Sequence, residues 1–598
     1  MSDIRTVKVV DSVIGDITPQ VTYGVVSGGS QNTYQRFPAT SSSNSALIWN
    51  VQIPSENIIV DRAVMLSSWL SLQITIDAAA LGKRFTKGQV VFNYGATDCL
   101  QAFPLASLMT TMTCMINNTS VTVNLQDVLP SILKMNSPHH LSRYNSMTPF
   151  LPDQYYGNFS DGNGTSNNVL ASLNNASFDG RYLPRGAHPV RVTVLSHTGS
   201  AVAGSGTGAT AVAAVAAVPA GDTTLIAVGN PDEKWVIQLD TQVVEPLFLS
   251  PFIFGEAQFN NGGLTGINNM SLTCNIDGAC RRVFSSSTGN ITNIVLNPGG
   301  SGAFSQPNNA ANIGVQAPTT NPSLLLRFLS AQPSDLIQVK NTVPLLDMPR
   351  YLTSSASRTP IAAGSTVTLT SNNLQINQIP DKFIITVRNP ITSSNWNNTS
   401  GFLAIQSISV NFNNSSGLLS SASAYDLWRI SVRNGSVQTW DEFAGQAFVN
   451  TGDGAGKLIP TLGSMLVLSP ALDLSLPMYL SNGSLGNYNV QFTITVANQY
   501  GVVVPAEICV VAVNSGIFVT SQGVSSAYTS LLSKEMVLAT MSEHSLGAFT
   551  TTEVSRNIGG NMSNAPLTAM KGMLKHHNRH GGGASGGGES GGRLSKHY

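Results

Sequence analysis

Two stretches of this 598-residue chain carry the same short motifs in the same order, and this duplication constrains the fold more than any other feature. Gln-Ile-Pro at 52–54 precedes a polar triplet and the apolar run 58–60. The same triplet at 378–380 precedes two polar residues and the apolar run 383–385. Because proline cannot donate to a sheet ladder, each triplet is expected to end one strand and turn the chain toward the next.

Further short motifs recur in the same order in both halves, and we call these recurring motifs echoes. An Asn-Asn pair at 117–118 and another at 413–414 each precede a short segment with helical spacing, at 127–133 and 425–430. Leu-Ser-Pro then occurs at 249–251 and again at 468–470. Later predicted strands close each copy: Ser271–Ile276 and Leu324–Leu329 in the first, Val490–Val496 and Glu507–Val513 in the second. The repeat is far longer than the roughly 20–50 residues of a solenoid unit, so it predicts two tandem all-β domains.

The spacing of the echoes predicts a large insertion in the first copy. Asn118 and Pro251 are 133 residues apart, whereas Asn414 and Pro470 are 56 apart, which leaves an excess of 77 residues. Structureless loops longer than about 12–15 residues are uncommon unless they are functional. We therefore predict a projecting loop over about 138–235.

The predicted organisation has five parts. Residues 1–40 are an N-terminal arm, 41–335 the first β domain with its insertion, 336–350 a linker, and 351–520 the second β domain. Apolar residues at helical spacing predict an amphipathic helix over 526–545. The remaining tail is rich in Gly and His and too poor in apolar residues to build a core.

Composition favours an assembling protein over a free enzyme. Charged residues make up only 10% of the chain, against about 25% in an ordinary soluble domain. The 31 basic and 31 acidic residues cancel, and a surface near neutrality tends to associate. The N-terminal sequence has no apolar region typical of a signal peptide, so we expect the chain to act inside a cell and not to be secreted. The apolar run at 209–220 is too short to span a bilayer, which needs about 20 residues.

No motif predicts catalysis, a cofactor or a metal site. Five cysteines without CxxC spacing argue against a zinc ribbon or a disulfide framework. The histidines at 139–140 and 576–580 have no carboxylate or cysteine beside them that would complete a metal site. Catalytic, cofactor-binding and metal residues are therefore predicted to be none.

Two groups of residues remain as functional candidates. Five cations on the flexible tail could contact phosphates of nucleic acid in a salt-dependent manner, with a solubilising role as the alternative: Lys571, Lys575, Arg579, Arg593 and Lys596. Large aromatics dominate the energetics of cores and interfaces, which makes four tryptophans candidate anchors: Trp49, Trp69, Trp428 and Trp440.

Several stretches resemble the double-jelly-roll major capsid proteins of virophages and polinton-like viruses. They are Ile58–Val64 (IIVDRAV), Gln101–Ser107 (QAFPLAS) with the strand that follows, and Tyr182–Gly186 (YLPRG). The likeness extends over about residues 40–520, and jelly rolls are common in viral capsids. The Gly/His-rich tail has no counterpart in the resemblance.

The resemblance implies an all-β fold of two tandem eight-stranded jelly rolls with short helices. It implies a structural protein, not an enzyme, whose homotrimers form pseudo-hexagonal capsomers of an icosahedral shell around double-stranded DNA. The implied partners are neighbouring capsomers, penton and minor capsid proteins, and genomic DNA through the tail. On this hypothesis the insertion is an outward tower, and both terminal segments lie inside the virion capsid.

Two other classes stay open at this point. A single-jelly-roll capsid protein would carry one shell domain and a dissimilar projection domain, which the echoes disfavour. A β-sandwich adhesin or carbohydrate-binding protein would share the Ser/Thr/Asn-rich composition but would normally carry a secretion signal.

Overall fold

The computed structural model of the chain describes residues 31–529 except for 56–57, 95–97, 137–189, 199–224, 230–231, 253–262, 287, 298–301, 306–321, 331–339, 355–357, 394–395, 397–400, 414, 451–455 and 477–479. The described residues form two β domains joined in tandem. Their strands match the echoed motifs, because the turn residues of those motifs set where each strand ends.

The first domain contains sixteen strands and two helices in its described part. The strands are β1 (Gln31–Pro38), β2 (Ser41–Ser42), β3 (Ala46–Gln52), β4 (Ile58–Val60), β5 (Met65–Asp77), β6 (Val90–Asn93), β7 (Asp98–Leu100), β8 (Met109–Ile116), β9 (Thr119–Val123), β10 (Val190–Thr198), β11 (Leu225–Ala227), β12 (Lys234–Pro246), β13 (Asn269–Ile276), β14 (Phe284–Ser286), β15 (Ile291–Leu296) and β16 (Ser323–Ser330). The helices are α1 (Pro104–Leu108) and α2 (Leu125–Lys134).

The second domain contains fourteen strands and three α-helices in its described part. The strands are β17 (Lys340–Asp347), β18 (Arg350–Leu352), β19 (Thr359–Ile361), β20 (Thr366–Thr370), β21 (Leu374–Gln378), β22 (Lys382–Arg388), β23 (Ala404–Phe412), β24 (Ser415–Leu418), β25 (Gln446–Asn450), β26 (Gly456–Pro460), β27 (Met465–Leu468), β28 (Leu485–Ala497), β29 (Val504–Ser521) and β30 (Val524–Tyr528). The helices are α3 (Ala424–Arg433), α4 (Trp440–Phe443) and α5 (Pro470–Asp473), with a short 3₁₀ turn at Ile391–Ser393.

Each domain is a sandwich of two antiparallel sheets. In the first domain, sheet 1A has the order β1-β16-β5-β12-β10 and sheet 1B the order β2-β3-β13-β8-β9. In the second domain, sheet 2A has the order β17-β29-β22-β27 and sheet 2B the order β20-β28-β23-β24. The first strand of each domain pairs with a strand near the end of that domain, β1 with β16 and β17 with β29, and the chain crosses between the sheets in the same sequence. Two packed antiparallel sheets with this strand plan are a jelly roll, to whose eight strands both domains add further short ones, with seven described strands in each of sheets 1A and 2A and five in each of sheets 1B and 2B. The predicted fold of two tandem jelly rolls is confirmed.

The two jelly rolls share their most constrained turn. Asn117 and Asn413 join equivalent strands and adopt left-handed backbone angles, with φ of 50° and 49°. The Asn117 N–H donates to the carbonyl of Asn269 at 3.0 Å, and the Asn413 N–H donates to that of Asn489 at 2.8 Å. Asparagine tolerates this conformation better than most residues, which explains why the Asn-Asn echo marks the same hairpin twice.

The sequence misplaced two strands. Residues 31–38, predicted as part of the arm, form β1 and pair along their whole length with β16. Residues 340–347, predicted as linker, form β17 and pair with β29. Both are the first strands of their rolls. β1 is largely polar and exposed, and β17 contains Pro344, which a strand at the edge of a sheet tolerates.

The prediction of a helix over 526–545 is wrong for its first residues. Residues 524–528 form β30, which pairs with the end of β29, and residues beyond 529 lie outside the described part.

The insertion predicted over 138–235 is described only in pieces. Of these, β10 extends sheet 1A beside β12, and β11 pairs with β6. The short helices predicted at 127–133 and 425–430 lie within α2 and α3.

Candidate functional site at the junction of the two jelly rolls

The outer face of sheet 2A packs against the first jelly roll. Residues alternate along its strands: Ile384 and Val511 join the apolar cluster of the first roll, while their neighbours Phe383 and Val510 join the core of the second. Met465, Val467, Cys509 and Val513 follow the same pattern and also join the first cluster. A sheet that is buried on both faces reads as a continuous apolar run, and this explains the sequence of β22, β27 and β29.

A buried ionic cluster completes this junction at one end of sheet 2A. The Arg388 guanidinium, at the end of β22, donates to the carboxylate of Asp127 on α2 and lies 3.3 Å from that of Glu507. Arg350 reaches the other Asp127 oxygen at 2.6 Å, and Arg358 pairs with Glu507. The side chains of Arg388, Asp127 and Glu507 are each no more than 5% exposed. Buried charges of this kind are tolerated because each is paired and hydrogen-bonded.

Two further contacts tie the rolls together. Lys134, the last residue of α2, pairs with Glu442 on α4, and both side chains are buried. Burial raises the pKa of Glu442, and the adjacent Lys134 opposes that rise. On the other side, the Ser525 hydroxyl on β30 donates to the carbonyl of Ile116 at 2.5 Å, and its N–H donates to Asn118 at 2.7 Å. The ionic cluster and these two contacts hold the junction at three places, and further hydrogen bonds between the rolls, such as that from Trp396 to the carbonyl of Cys280 at 3.0 Å, add to them.

The equivalent face of sheet 1A is chemically different. Ser71, Asp240 and Gln242 alternate with the core residues of β5 and β12 and are buried on the outer face. The Ser71 hydroxyl donates to the Asp240 carboxylate, and Gln238 donates to the same group at 2.8 Å. Burial raises the pKa of Asp240, and hydrogen bonds from Ser71 and Gln238 together with the charge of Arg191, its partner across β10 and β12, oppose that rise.

The predicted tryptophans lie in three different environments. Trp49 is fully buried in the first core, and Trp69 is buried on the outer face of sheet 1A, outside that apolar cluster. Trp428 and Trp440 are half-buried against the second core and meet Tyr425, with ring centroids 5.3–5.9 Å apart. An interface role for the last two stays a prediction. The five tail cations lie outside the described residues.

Sequence reasoning missed the ionic cluster. Asp127 and Arg388 are 261 positions apart, so no local pattern joins them. The available signal is that charged residues are scarce here, yet Arg388 directly follows the apolar run of β22 and Glu507 directly precedes that of β29. A charge at the end of a strand buried on both faces must find a partner.

The described surface also carries large exposed apolar side chains. Phe448 and Leu458 face each other across the β25–β26 hairpin and are 70% and 59% exposed. Tyr34 on the edge strand β1 is 77% exposed, and Leu472 and Leu485 are also exposed. Paired exposed hydrophobics at strand edges and hairpins are typical of surfaces that associate.

The chemistry of the described residues is that of packing and ion pairing. They contain no group of three His, Cys, Asp or Glu side chains placed to hold a metal ion. Burial raises the pKa of the Cys114 thiol to about 12, so this thiol stays protonated near neutral pH. No helix in the described part has the length and apolar character needed to cross a membrane.

Two jelly rolls in one chain, joined through a buried junction, define the double-jelly-roll class. A family model described as the first domain of the Sputnik virophage major capsid protein matches residues 2–329, and a model described as the V20 C-terminal domain of the major capsid protein matches residues 348–516. The chain belongs to the family of virophage major capsid proteins. It is a structural component of the virion capsid.

Individual relatives support this assignment. A protein described as putative capsid protein V20 of Sputnik virophage is 27% identical over 556 residues, which covers 91% of this chain and 82% of the relative. The cryo-EM structure of the Sputnik virophage matches with a TM-score of 0.66 at 24% identity, covering 92% of this chain and 98% of the other. The mavirus major capsid protein matches with a TM-score of 0.57 at 12% identity, covering 89% and 97%.

Proposed function

We propose that three copies of this chain form a trimeric capsomer with a pseudo-hexagonal outline, and that such capsomers tile an icosahedral shell around double-stranded DNA. The observation that carries the proposal is the junction. Because the two jelly rolls of one chain are held at three places by buried contacts, they act as one unit, and three such units present six similar sandwiches around a threefold axis.

The exposed apolar side chains support self-association. Obligate interfaces bury roughly 2,000–5,000 Å² and are more apolar than free surfaces. On this proposal the hairpin pair Phe448 and Leu458 contacts a neighbouring subunit, where burial of each large side chain contributes about 1.5–3 kcal/mol. Tyr34 is placed to do the same at the free edge of sheet 1A.

The remaining parts of the chain receive roles in the same proposal. The insertion over 138–235 forms the outward tower of the capsomer. The N-terminal arm and the tail lie inside the shell, where Lys571, Lys575, Arg579, Arg593 and Lys596 contact genomic DNA. Penton and minor capsid proteins complete the shell, and the chain is made and assembled in the host cell.

The test is the native mass of the purified chain by light scattering, with the same fractions viewed by negative stain. The proposal predicts a mass near 189 kDa, three times the chain mass of 63.0 kDa, and hexagonal outlines. A chain that stays monomeric at high concentration and in altered salt would contradict it.

A double variant tests the hairpin contact. Phe448→Ser with Leu458→Ser should shift the mass toward that of the monomer while the melting temperature of the monomer is retained, because both side chains are exposed in the single chain. If the variant remains fully trimeric, the hairpin is not part of the trimer interface.

A further inference from the structure

A small cavity lies at the junction between the rolls, apart from the ionic cluster. Its volume is about 70 Å³, and its walls include Gln101, Ser107, Lys134, Arg282 and, from the second roll, Leu462. A single water needs about 10–15 Å³ of such volume, so the cavity has room for several waters or for one small ion. Gln101 and Ser107 belong to the QAFPLAS stretch, and the fold by itself does not give this stretch a functional role.

Arg282 is the unusual member of this wall. Its residue is 6% exposed, and its Nε is buried without a hydrogen-bond partner in the described part of the chain. No described carboxylate lies within ion-pair distance of its guanidinium, whereas the other buried basic groups of the junction, Arg388 and Lys134, each have one. A buried, unpaired cation is costly unless an anion reaches it.

The balance of charged side chains at the junction also favours a bound anion. Five basic side chains and three carboxylates of the described residues lie at the ion pairs and the cavity wall: Arg282, Arg350, Arg358, Arg388 and Lys134 against Asp127, Glu442 and Glu507. The nearby Arg281 and Asp277 add one charge of each sign and leave the balance unchanged. The described charges of the junction therefore have a net excess of two positive charges, and Arg282 is the member of the five for which no ion pair is found among the described residues. Burial and the nearby Arg388 lower the pKa of Arg282 to about 10, which still leaves it charged at neutral pH.

We propose that the cavity binds a small inorganic anion, a halide or phosphate, against the Arg282 guanidinium. Lys134 and the Gln101 amide line the same space and supply further donors. Because the cavity is bounded by residues of both rolls, the bound anion stabilises the junction. This binding is a property of the single chain and does not depend on the trimer.

The first test measures the melting temperature of the purified full chain at constant ionic strength. Sodium gluconate, whose anion is too bulky for the cavity, is replaced stepwise by bromide, chloride or phosphate in separate titrations. Saturable binding at a large excess over Kd should raise the melting temperature by about 2–5 °C. The arm that saturates identifies the anion as a halide or as phosphate.

Two variants separate this binding from general salt effects. Arg282→Met should lose the saturable rise. Arg84→Gln removes the same charge from an exposed ion pair with Asp232 and should keep the rise. If Arg282→Met does not fold, the unchanged protein can be crystallised in bromide. An anomalous peak within about 3.5 Å of the Arg282 guanidinium would then show a bound bromide without the use of a variant.

Three results would overturn the proposal. They are the absence of a saturable rise with any of the three anions, an equal rise in Arg282→Met, and a bromide peak without a thermal response, which would mean an adventitious ion only. Loss of trimers with retained anion binding would affect the proposed capsomer and leave this inference intact.

Discussion

Sheets 1A and 2A occupy the same place in their jelly rolls, yet their outer faces differ. The outer face of sheet 2A is apolar at Ile384 and Val511 and ends in carboxylates paired with Arg388. The outer face of sheet 1A carries polar side chains, and its Asp240 accepts hydrogen bonds from a hydroxyl and an amide and lies beside Arg191. The same strand plan therefore carries two kinds of buried surface.

This difference shows how a duplicated domain acquires a directional contact. The second roll packs its apolar face on the first roll, whereas the equivalent face of the first roll buries polar side chains such as Asp240, which is hydrogen-bonded to Ser71 and Gln238.

The largest effect is expected from breaking the ionic cluster. Arg388→Met leaves Asp127 and Glu507 short of a buried partner and should lower the free energy of unfolding by about 3–5 kcal/mol. Chemical denaturation measures the change. The matched control is Arg84→Gln, whose exposed ion pair is worth no more than about 1 kcal/mol. Equal losses in the two variants would refute the structural importance of the cluster.

The carboxylates of sheet 1A should make that roll sensitive to pH. Burial raises the pKa of Glu245 to about 8, although two backbone N–H groups of α1 donate to it at 2.7–2.8 Å. Between the unfolded value near 4.5 and about 8, the unfolded chain releases a proton that the native chain keeps. Stability should therefore fall as the pH rises through this window, by on the order of 5 kcal/mol in total.

Thermal unfolding of Glu245→Gln between pH 5 and pH 8 checks this expectation. The variant loses an acceptor at α1 and should be less stable than the unchanged protein at pH 5. The gap should narrow toward pH 8. A gap that is constant with pH would show that Glu245 is already ionised in the native chain.

Shortening one apolar side chain tests the face of sheet 2A. Ile384→Ala should cost about 2–5 kcal/mol, because the cavity lies between two packed rolls that cannot both relax. Gln73→Ala on the outer face of sheet 1A is the matched change and should cost less than about 1 kcal/mol. Denaturant midpoints of the two variants give the comparison directly, and similar costs would mean that the two faces are equivalent after all.

The smallest loss of stability is expected at the asparagine turn that the two rolls share. Asn117→Ala and Asn413→Ala should each cost about 1–2 kcal/mol, since alanine does not favour the left-handed backbone. The glycine variants at the same positions should recover only the backbone part of this cost, because each asparagine Oδ1 also accepts a backbone N–H, from Asn268 at 2.9 Å and from Asn489 at 2.8 Å. Markedly unequal losses would show that the two hairpins are not equivalent.

The sequence predicted the fold wherever turn chemistry recurred. Gln52 and Gln378 end equivalent strands, and Asn117 and Asn413 turn equivalent hairpins, because proline and asparagine restrict the backbone locally. It missed β1 and β17, since a polar edge strand and a strand containing Pro344 lack the apolar alternation on which strand prediction depends.

The site was less predictable than the fold. The sequence identified Trp49 as a candidate anchor, and it lies in the first core. The junction depends instead on pairs such as Asp127 with Arg388, and the cavity depends on Arg282. No local sequence motif marks Arg282. Such pairs form only when distant segments are brought together by the fold. A charge placed next to a long apolar run was the only sequence signal available.

Differential scanning calorimetry of the full chain tests most directly whether the junction makes the two rolls one unit. A single transition is expected for the unchanged protein, with calorimetric and van't Hoff enthalpies that agree once dissociation of the trimer is included. Arg388→Met should show a second, separate transition as the rolls uncouple. Two resolved transitions in the unchanged protein, with only one of them moved by Arg388→Met, would contradict this expectation.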